Sequence, residues 1–346
     1  MTRARILRSI VTSAGLDGLW DRASRGARLP RADLQDVIDC GHPLAAAALA
    51  DAARENASGV DVSHPWTVRV RAPGVPFAAE DATRVSHAVE SLAGIPATEA
   101  QVVGALPSDL PLGSAIEMVR SVKVARPDLT LRAFDSARID ALAARDGTTI
   151  EHVLTELRNA GLDTLDWTPG EGRDARAAAV HRAAHESGFE TVAPIGYTKG
   201  EVGPALLDRL DAMRAVAEDT GRFTAAVALP DQSEDASPLR GTSGTEDTLA
   251  CAVIRLALGH AVKHITTDAH VVGHKLAAVL LTCGASDFVG AQAAARWAPP
   301  SGDAARPLNP DRVRRFVIEA RRSPVTRDAL FRRVEASTGT PGTLNA

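Results

Sequence analysis

Cysteine is scarce in this chain of 346 residues: there are three, Cys40, Cys251 and Cys283, and no two make a CxxC or CxxxC pair. So odd and dispersed a set argues against a disulfide framework and against a zinc knuckle, and each thiol reads as a small buried hydrophobe. Also missing is any apolar run of about 18 residues, so no segment is expected to span a membrane. The opening "MTRARILRSIVTSAGL" has three arginines but neither the continuous apolar stretch nor the small-residue cleavage site of a secretory signal, and a soluble, cytoplasmic protein is expected. Nor is there an excess of one charge: a net charge of −4 gives no pull toward nucleic acid or anionic lipid.

What is present is ordinary globular composition, 45% hydrophobic and 24% charged, in a chain long enough for one α/β barrel or two smaller domains. Residues 1–62 are helical in pattern, with apolar residues at helical spacing and Pro30 placed to begin a helix. From residue 63 to 295 the rhythm changes. Short β-rich runs at 67–71, 99–104, 130–134, 164–167, 191–195, 224–229, 262–266 and 287–290 alternate with amphipathic helical runs. Repeated β-then-α units imply parallel strands with right-handed crossovers, and seven or eight of them imply a closed TIM-like (β/α) barrel. Residues 296–335 read as a Pro/Gly-rich linker followed by C-terminal helices, and 336–346 as a disordered tail.

In a parallel barrel the chemistry sits where the strands end. After the second strand comes Gly104, and after the third Asp135. After the fourth come Gly170, Glu171, Gly172, Arg173 and Asp174. After the fifth come Tyr197, Lys199 and Glu201, with Asp231 and Glu234 after the sixth and Asp268, His270 and His274 after the seventh. Of these, Gly104, Gly170, Glu171, Asp174, Tyr197, Lys199, Glu201, Asp268 and His270 are the candidate ligand-binding residues. His181 and His185, and likewise His270 and His274, stand four residues apart, a spacing that permits shared metal ligation. Neither pair has a firm third ligand in the sequence, and no metal is expected. After the first strand there is only "APGVPF", with nothing reactive in it.

Several segments in order carry a family resemblance: "EAQVVGALPSDLPLGSAIEMVRSVKVARPDLTLRAFDSARI", "GTTIEHVLTELRNAGLDTLDWTPGEG", "GFETVAPIGYTKGE", "AEDTGRFTAAVAL", "GHKLAAVLLTCGASDFVG" and "VIEARRSPVTRDALFRRV". Together they resemble the radical SAM enzymes of the futalosine route to menaquinone, aminofutalosine synthase and dehypoxanthine futalosine cyclase, and are similar to the deazaflavin-forming FO synthases. The resemblance covers about 85–340. It implies the radical SAM barrel, and in the family the loop after the first strand carries CxxxCxxC. Three thiolates there hold a 4Fe–4S cluster whose open iron binds S-adenosylmethionine, the source of the 5′-deoxyadenosyl radical. Here the matching loop, 72–76, has no cysteine. The family's Gly-Gly is Gly104-Ala105, its "PGGGAE" is "PGEGRD" with Asp174 in place of Glu, and its "YGHxE" keeps Tyr197 and Glu201 but puts Lys199 in place of His.

The resemblance therefore implies a degenerate member: a pseudoenzyme with no 4Fe–4S cluster and no expected SAM binding. Two functions remain open. One is a non-catalytic binding protein, for a small nucleoside-like ligand or for an active radical SAM paralogue. The other is an iron-independent enzyme using Lys199 or Glu201 as acid or base at the barrel mouth, on a nucleoside-like or chorismate-derived small molecule.

Overall fold

The computed structural model describes residues 2–71, 97–103, 110–167, 175–231, 241–295 and 308–335. Four helices come first: Arg3–Ser13, Asp17–Ser24, Arg31–Asp39 and Pro43–Ser58. Proline sets two of the starts. Pro30 is the N-cap of the third helix and Pro43 opens the fourth, where its missing N–H would have had no helical partner. The His42 ring caps that fourth helix, accepting from Ala45 N at 3.2 Å. Every residue from Ala45 to Arg54 is buried. Small alanine side chains let this helix lie close between the first two helices and the Gly244–Leu258 helix of the barrel layer. Gly284 lies against both of these helices: a Cβ there would stand 3.1 Å from the Ala50 Cβ and 2.8 Å from the Arg255 Cβ. The helical lead segment thus packs onto the barrel.

The strands are β1 (Asp61–Pro65), β2 (Thr67–Arg71), β3 (Glu99–Val103), β4 (Thr130–Arg132), β5 (Thr191–Tyr197), β6 (Phe223–Pro230), β7 (His264–Asp268), β8 (Asp287–Val289), β9 (Gln292–Ala295) and β10 (Ser323–Arg327). Their pairings are all parallel, in one sheet of order β10-β1-β8-β7-β6-β5 and another of order β4-β3-β2-β9. Two of the connections between the sheets are very short: β1 passes through Trp66 into β2, and β8 passes through Gly290 and Ala291 into β9. Between β4 and β5 lies the segment 164–167. It bridges Arg132 at Thr164, and the Thr164 hydroxyl donates to Glu190 O at 2.8 Å. This is a TIM-like barrel, built from the β-then-α alternation.

The structure departs from the sequence reading in several places, among them two strands, β1 and β9, that the alternation did not anticipate. The fourth expected strand is a single bridge. β7 starts at His264, two residues later than expected. The C-terminal stretch is not helical throughout: the helix Pro310–Glu319 stops, Arg321 takes φ 58°, and Ser323–Arg327 becomes β10 alongside β1. Pro324 lacks the N–H a continuing helix needs, and β1 has an unpaired edge to offer.

Side chains alternate across the barrel wall. Outward residues such as Ala193, Ile195, Ala226, Ile265 and Phe288 join the large core under the helices, and Ala100, Val102, Leu131 and Ala133 join a second one. Inward residues Val192, Ala225, Val227, Leu229 and Val289 form a small cluster with Trp167, against which Phe331 packs.

Candidate ligand site in the barrel

The interior of the barrel is more polar than its walls suggest. Glu99 opens β3 and is wholly buried. It accepts from Thr67 Oγ1 at 2.7 Å, from Arg132 Nη2, and from Arg327 Nη1 at 3.4 Å. Arg327 ends β10 and grips Asp287 of β8 with two parallel bonds, Nε–Oδ1 at 2.7 Å and Nη2–Oδ2 at 2.8 Å. Ser63 and Thr266 donate to the same carboxylate at 2.6 and 3.0 Å. Burial pushes the Asp287 carboxyl up, but Arg327 beside it and these hydrogen bonds outweigh that, and its pKa lies below the usual carboxylate value. Two acids, at the starts of β3 and β8, and two arginines, at the ends of β4 and β10, thus form the floor of the barrel interior.

Above that floor the pairing is incomplete. The Arg132 guanidinium stacks 3.9 Å over the Trp167 ring and is wholly buried. Its Nη2 is used on Glu99, while Nε and Nη1 have no hydrogen-bond partner, and Asp166 Oδ1 stands 3.9 Å from Nε. Level with Arg132 in the β3–β4 register, Gln101 Nε2 donates to both Asp166 oxygens, at 2.8 and 3.0 Å. Burying guanidinium N–H groups without acceptors is costly, so the free edge of Arg132 marks a place where an anion or a polar ligand would be stabilised. Composition hid this group. Its only signal was a charged residue inside each apolar run, as in "EAQVV" and "TLRAF".

The residues singled out in the sequence fare differently. Gly104, Gly170, Glu171 and Asp174 lie outside the described residues, as does the loop 72–96. Tyr197 is described, and the structure does not turn it toward the barrel mouth as expected of a ligand-binding residue. It sits on the outward side of β5, fully buried, with its hydroxyl donating to Asp247 Oδ1 at 2.9 Å. Its neighbours on that parity, Ala193 and Ile195, fix the direction. Burial pushes the Tyr197 hydroxyl well up. Glu201 closes the loop after β5, accepting from Thr198 N at 2.8 Å and pairing with Arg209 at 3.1 Å. Burial pushes its pKa up, yet these partners outweigh that and hold it at about 2. Lys199 is exposed on the same loop. Asp268 caps the short helix Ala269–Val272, accepting from His270 N at 2.8 Å. The structure therefore brings Asp268 and His270 together at the end of β7, and commits Glu201 to Thr198 and Arg209.

The paired histidines have a structural task. Thr191 Oγ1 lies 2.9 Å from His181 Nδ1 and 2.8 Å from His185 Nε2, and His185 Nδ1 lies 2.7 Å from Thr220 Oγ1. Burial lowers the His185 pKa to about 3, which keeps the ring neutral. Among the described residues no three His, Cys, Asp or Glu side chains are placed to hold a metal.

The thiols do not fit a cluster held by three thiolates. Cys40 follows the Arg31–Asp39 helix, Cys251 lies inside Gly244–Leu258, and Cys283 follows His274–Leu280. Cys251 and Cys283 are buried in the core under the helices, and burial pushes both thiols up, toward the protonated form that does not ligate iron.

No protein-family model matches the chain. Sequence relatives do. A 5-amino-6-(D-ribitylamino)uracil–L-tyrosine 4-hydroxyphenyl transferase of Methanosarcina mazei is 29% identical over 71% of this chain and 70% of its own length. The aminodeoxyfutalosine synthase of Thermus thermophilus is 30% identical over 65% of this chain and 66% of its own length. Among solved structures, the hydrogenase maturase HydG of Carboxydothermus hydrogenoformans superimposes with a TM-score of 0.61 over 96% of this chain and 87% of its own, at 13% identity. Methylornithine synthase PylB gives a TM-score of 0.59 over 88% and 97%, at 14% identity. At such identities these two show the fold alone.

Proposed function

We propose that this chain, a radical SAM family relative of aminodeoxyfutalosine synthase and the hydroxyphenyl transferases, is a binding member that performs no radical SAM chemistry. The observation that carries this reading is the placement of its thiols. The sequence has three, none in the loop after β2, and two are buried in the core under the helices. A cluster loop needs three soft thiolates within a few residues of each other.

The ligand is a small polar molecule, nucleoside-like or chorismate-derived, that enters from the strand ends and places an anionic or acceptor group on the free edge of Arg132. Trp167 backs the guanidinium, and Asp166 with Gln101 offers hydrogen bonds beside it. A charge-assisted bond from a desolvated arginine contributes about 1.5–3 kcal/mol, enough to orient a ligand whose remaining affinity comes from apolar contact. An acid–base enzyme built on Lys199 and Glu201 gains no such support, because Glu201 is committed to Thr198 and Arg209.

Two measurements test this. Anaerobic iron–sulfur reconstitution should leave the protein without a stoichiometric absorbance near 400 nm; a cluster lost on mutating any of the three cysteines would overturn the reading. Calorimetry with aminofutalosine, dehypoxanthine futalosine, 5′-deoxyadenosine and SAM should show binding of one of the first three that Arg132→Gln weakens. Should none bind, co-purification with an active radical SAM paralogue is the remaining form of the proposal.

A further inference from the structure

A second concavity lies at the opposite end of the barrel, where the strands begin. Its volume is about 420 Å³, within the range of small-molecule sites. Asp163, Glu190 and Arg222 line it just ahead of the 164–167 segment, β5 and β6, which places it on the floor side and away from the mouth. Lys123, Arg158 and Arg332 complete its charged lining, so four cations face two carboxylates.

Those charges are not all used. Lys123 Nζ donates to Asp163 Oδ2 at 2.8 Å and to Leu129 O at 2.9 Å, and Asp163 also accepts from Leu131 N at 2.7 Å, so that pair is satisfied. Arg158 is held in place by Ser187 O and lies 5.7 Å from the Phe189 ring centroid. Arg222 reaches Gly188 O only at 3.5 Å. The Arg332 side chain donates no hydrogen bond to any described residue, and the nearby Asp328 carboxylate is occupied by the backbone N–H groups of Leu330 and Arg332.

Two glycines let the cations lie against the cavity wall. A Cβ on Gly188 would meet Arg158 Nη1 at 1.9 Å, and one on Gly161 would meet Lys123 Cγ at 2.8 Å. Helix C-termini attract cations by themselves, which accounts for Arg158 near the end of Ile150–Ala160. It does not account for Arg332, which arrives on the C-terminal segment beyond β10. Among the described residues that line the cavity, Glu190 is the acid whose side chain makes no hydrogen bond, and the three guanidiniums beside it form a fork for phosphate-type oxygens.

We propose that this floor-side cavity binds a small soluble polyanion of the phosphate class, held by Arg158, Arg222 and Arg332, at a site separate from the barrel mouth. The test is calorimetry and thermal melting of the full chain with inorganic pyrophosphate and with ADP, at ionic strength matched with sodium chloride. The two probes distinguish a free polyphosphate from a nucleotide as the natural source. At least one should bind and raise the melting midpoint. Arg332→Ala and Arg222→Ala should each weaken it about tenfold, the loss of one charge-assisted bond, and Glu190→Gln should tighten it. The unliganded melting curves of the variants check that each one folds. No binding of either probe at millimolar concentration would overturn the proposal. So would an affinity that Arg332→Ala and Arg222→Ala leave unchanged, or a midpoint shift that sodium chloride alone reproduces.

Discussion

Asp287→Asn is the sharpest probe of the barrel floor. The wild-type carboxylate is wholly buried and accepts four hydrogen bonds: two from Arg327 and one each from Ser63 and Thr266. The asparagine keeps the shape but removes the charge and aims an NH₂ group at donors. Arg327 is then left buried with Glu99, 3.4 Å away, as its remaining ion-pair partner among the described residues. Breaking one side of a buried pair costs about 3–5 kcal/mol. With an unfolding entropy of about 2.1 cal/mol/K per residue over 346 residues, the thermal midpoint should fall by about 4–7 °C. Circular dichroism melts would measure it. Replacing both partners, Asp287→Leu with Arg327→Met, should cost less than the two single changes added together, because no charge is stranded. A midpoint within 1 °C of wild type for Asp287→Asn, or strict additivity in the double variant, would refute the account. The acid limb offers a second check. The folded pKa of Asp287 is depressed, so its contribution is present above the unfolded value near 3.8 and is lost as pH falls through the folded value.

Other outcomes follow from the same geometry. His64, His185 and His264 have folded pKa values lowered to about 4, 3 and 4 by burial, so the unfolded chain binds protons first below about pH 6.5. Stability should therefore fall by about 1.4 kcal/mol per pH unit for each ring between about pH 6 and 4.5, and urea midpoints that stay flat over that interval would contradict this. Tyr197→Phe should cost about 1–3 kcal/mol by removing a donor from buried Asp247, while leaving calorimetric affinity for any mouth ligand unchanged. A thiol reagent applied to the native protein should label Cys40 quickly, and Cys251 and Cys283 only after denaturant is added. In ligand binding, Arg132→Lys should lose most of what Arg132→Gln loses, since a point charge cannot reproduce the planar edge stacked on Trp167; full retention would show that charge alone suffices.

Much of this protein is legible in its residues. The alternation of β-rich and helical runs is set by local periodicity, and parallel strands joined by helices have few ways to pack, so the barrel follows. The want of cysteine after the first expected strand is likewise a fact of sequence alone. What the tertiary structure decided is direction and partnership. Tyr197 read as a mouth residue because it ends a strand, yet whether a strand residue points inward depends on register against its neighbours, and a shift of one residue reverses it. The segment 323–327 reads locally as a helix beside "VIEARRS", but pairing with β1 along five residues outweighs that local preference. The floor cluster joins Glu99, Arg132, Asp287 and Arg327, which span more than two hundred positions of sequence. Each looks like an ordinary surface charge in isolation. Only closure of the barrel removes water from all four together, and in that low-dielectric interior each charge needs the others to remain buried.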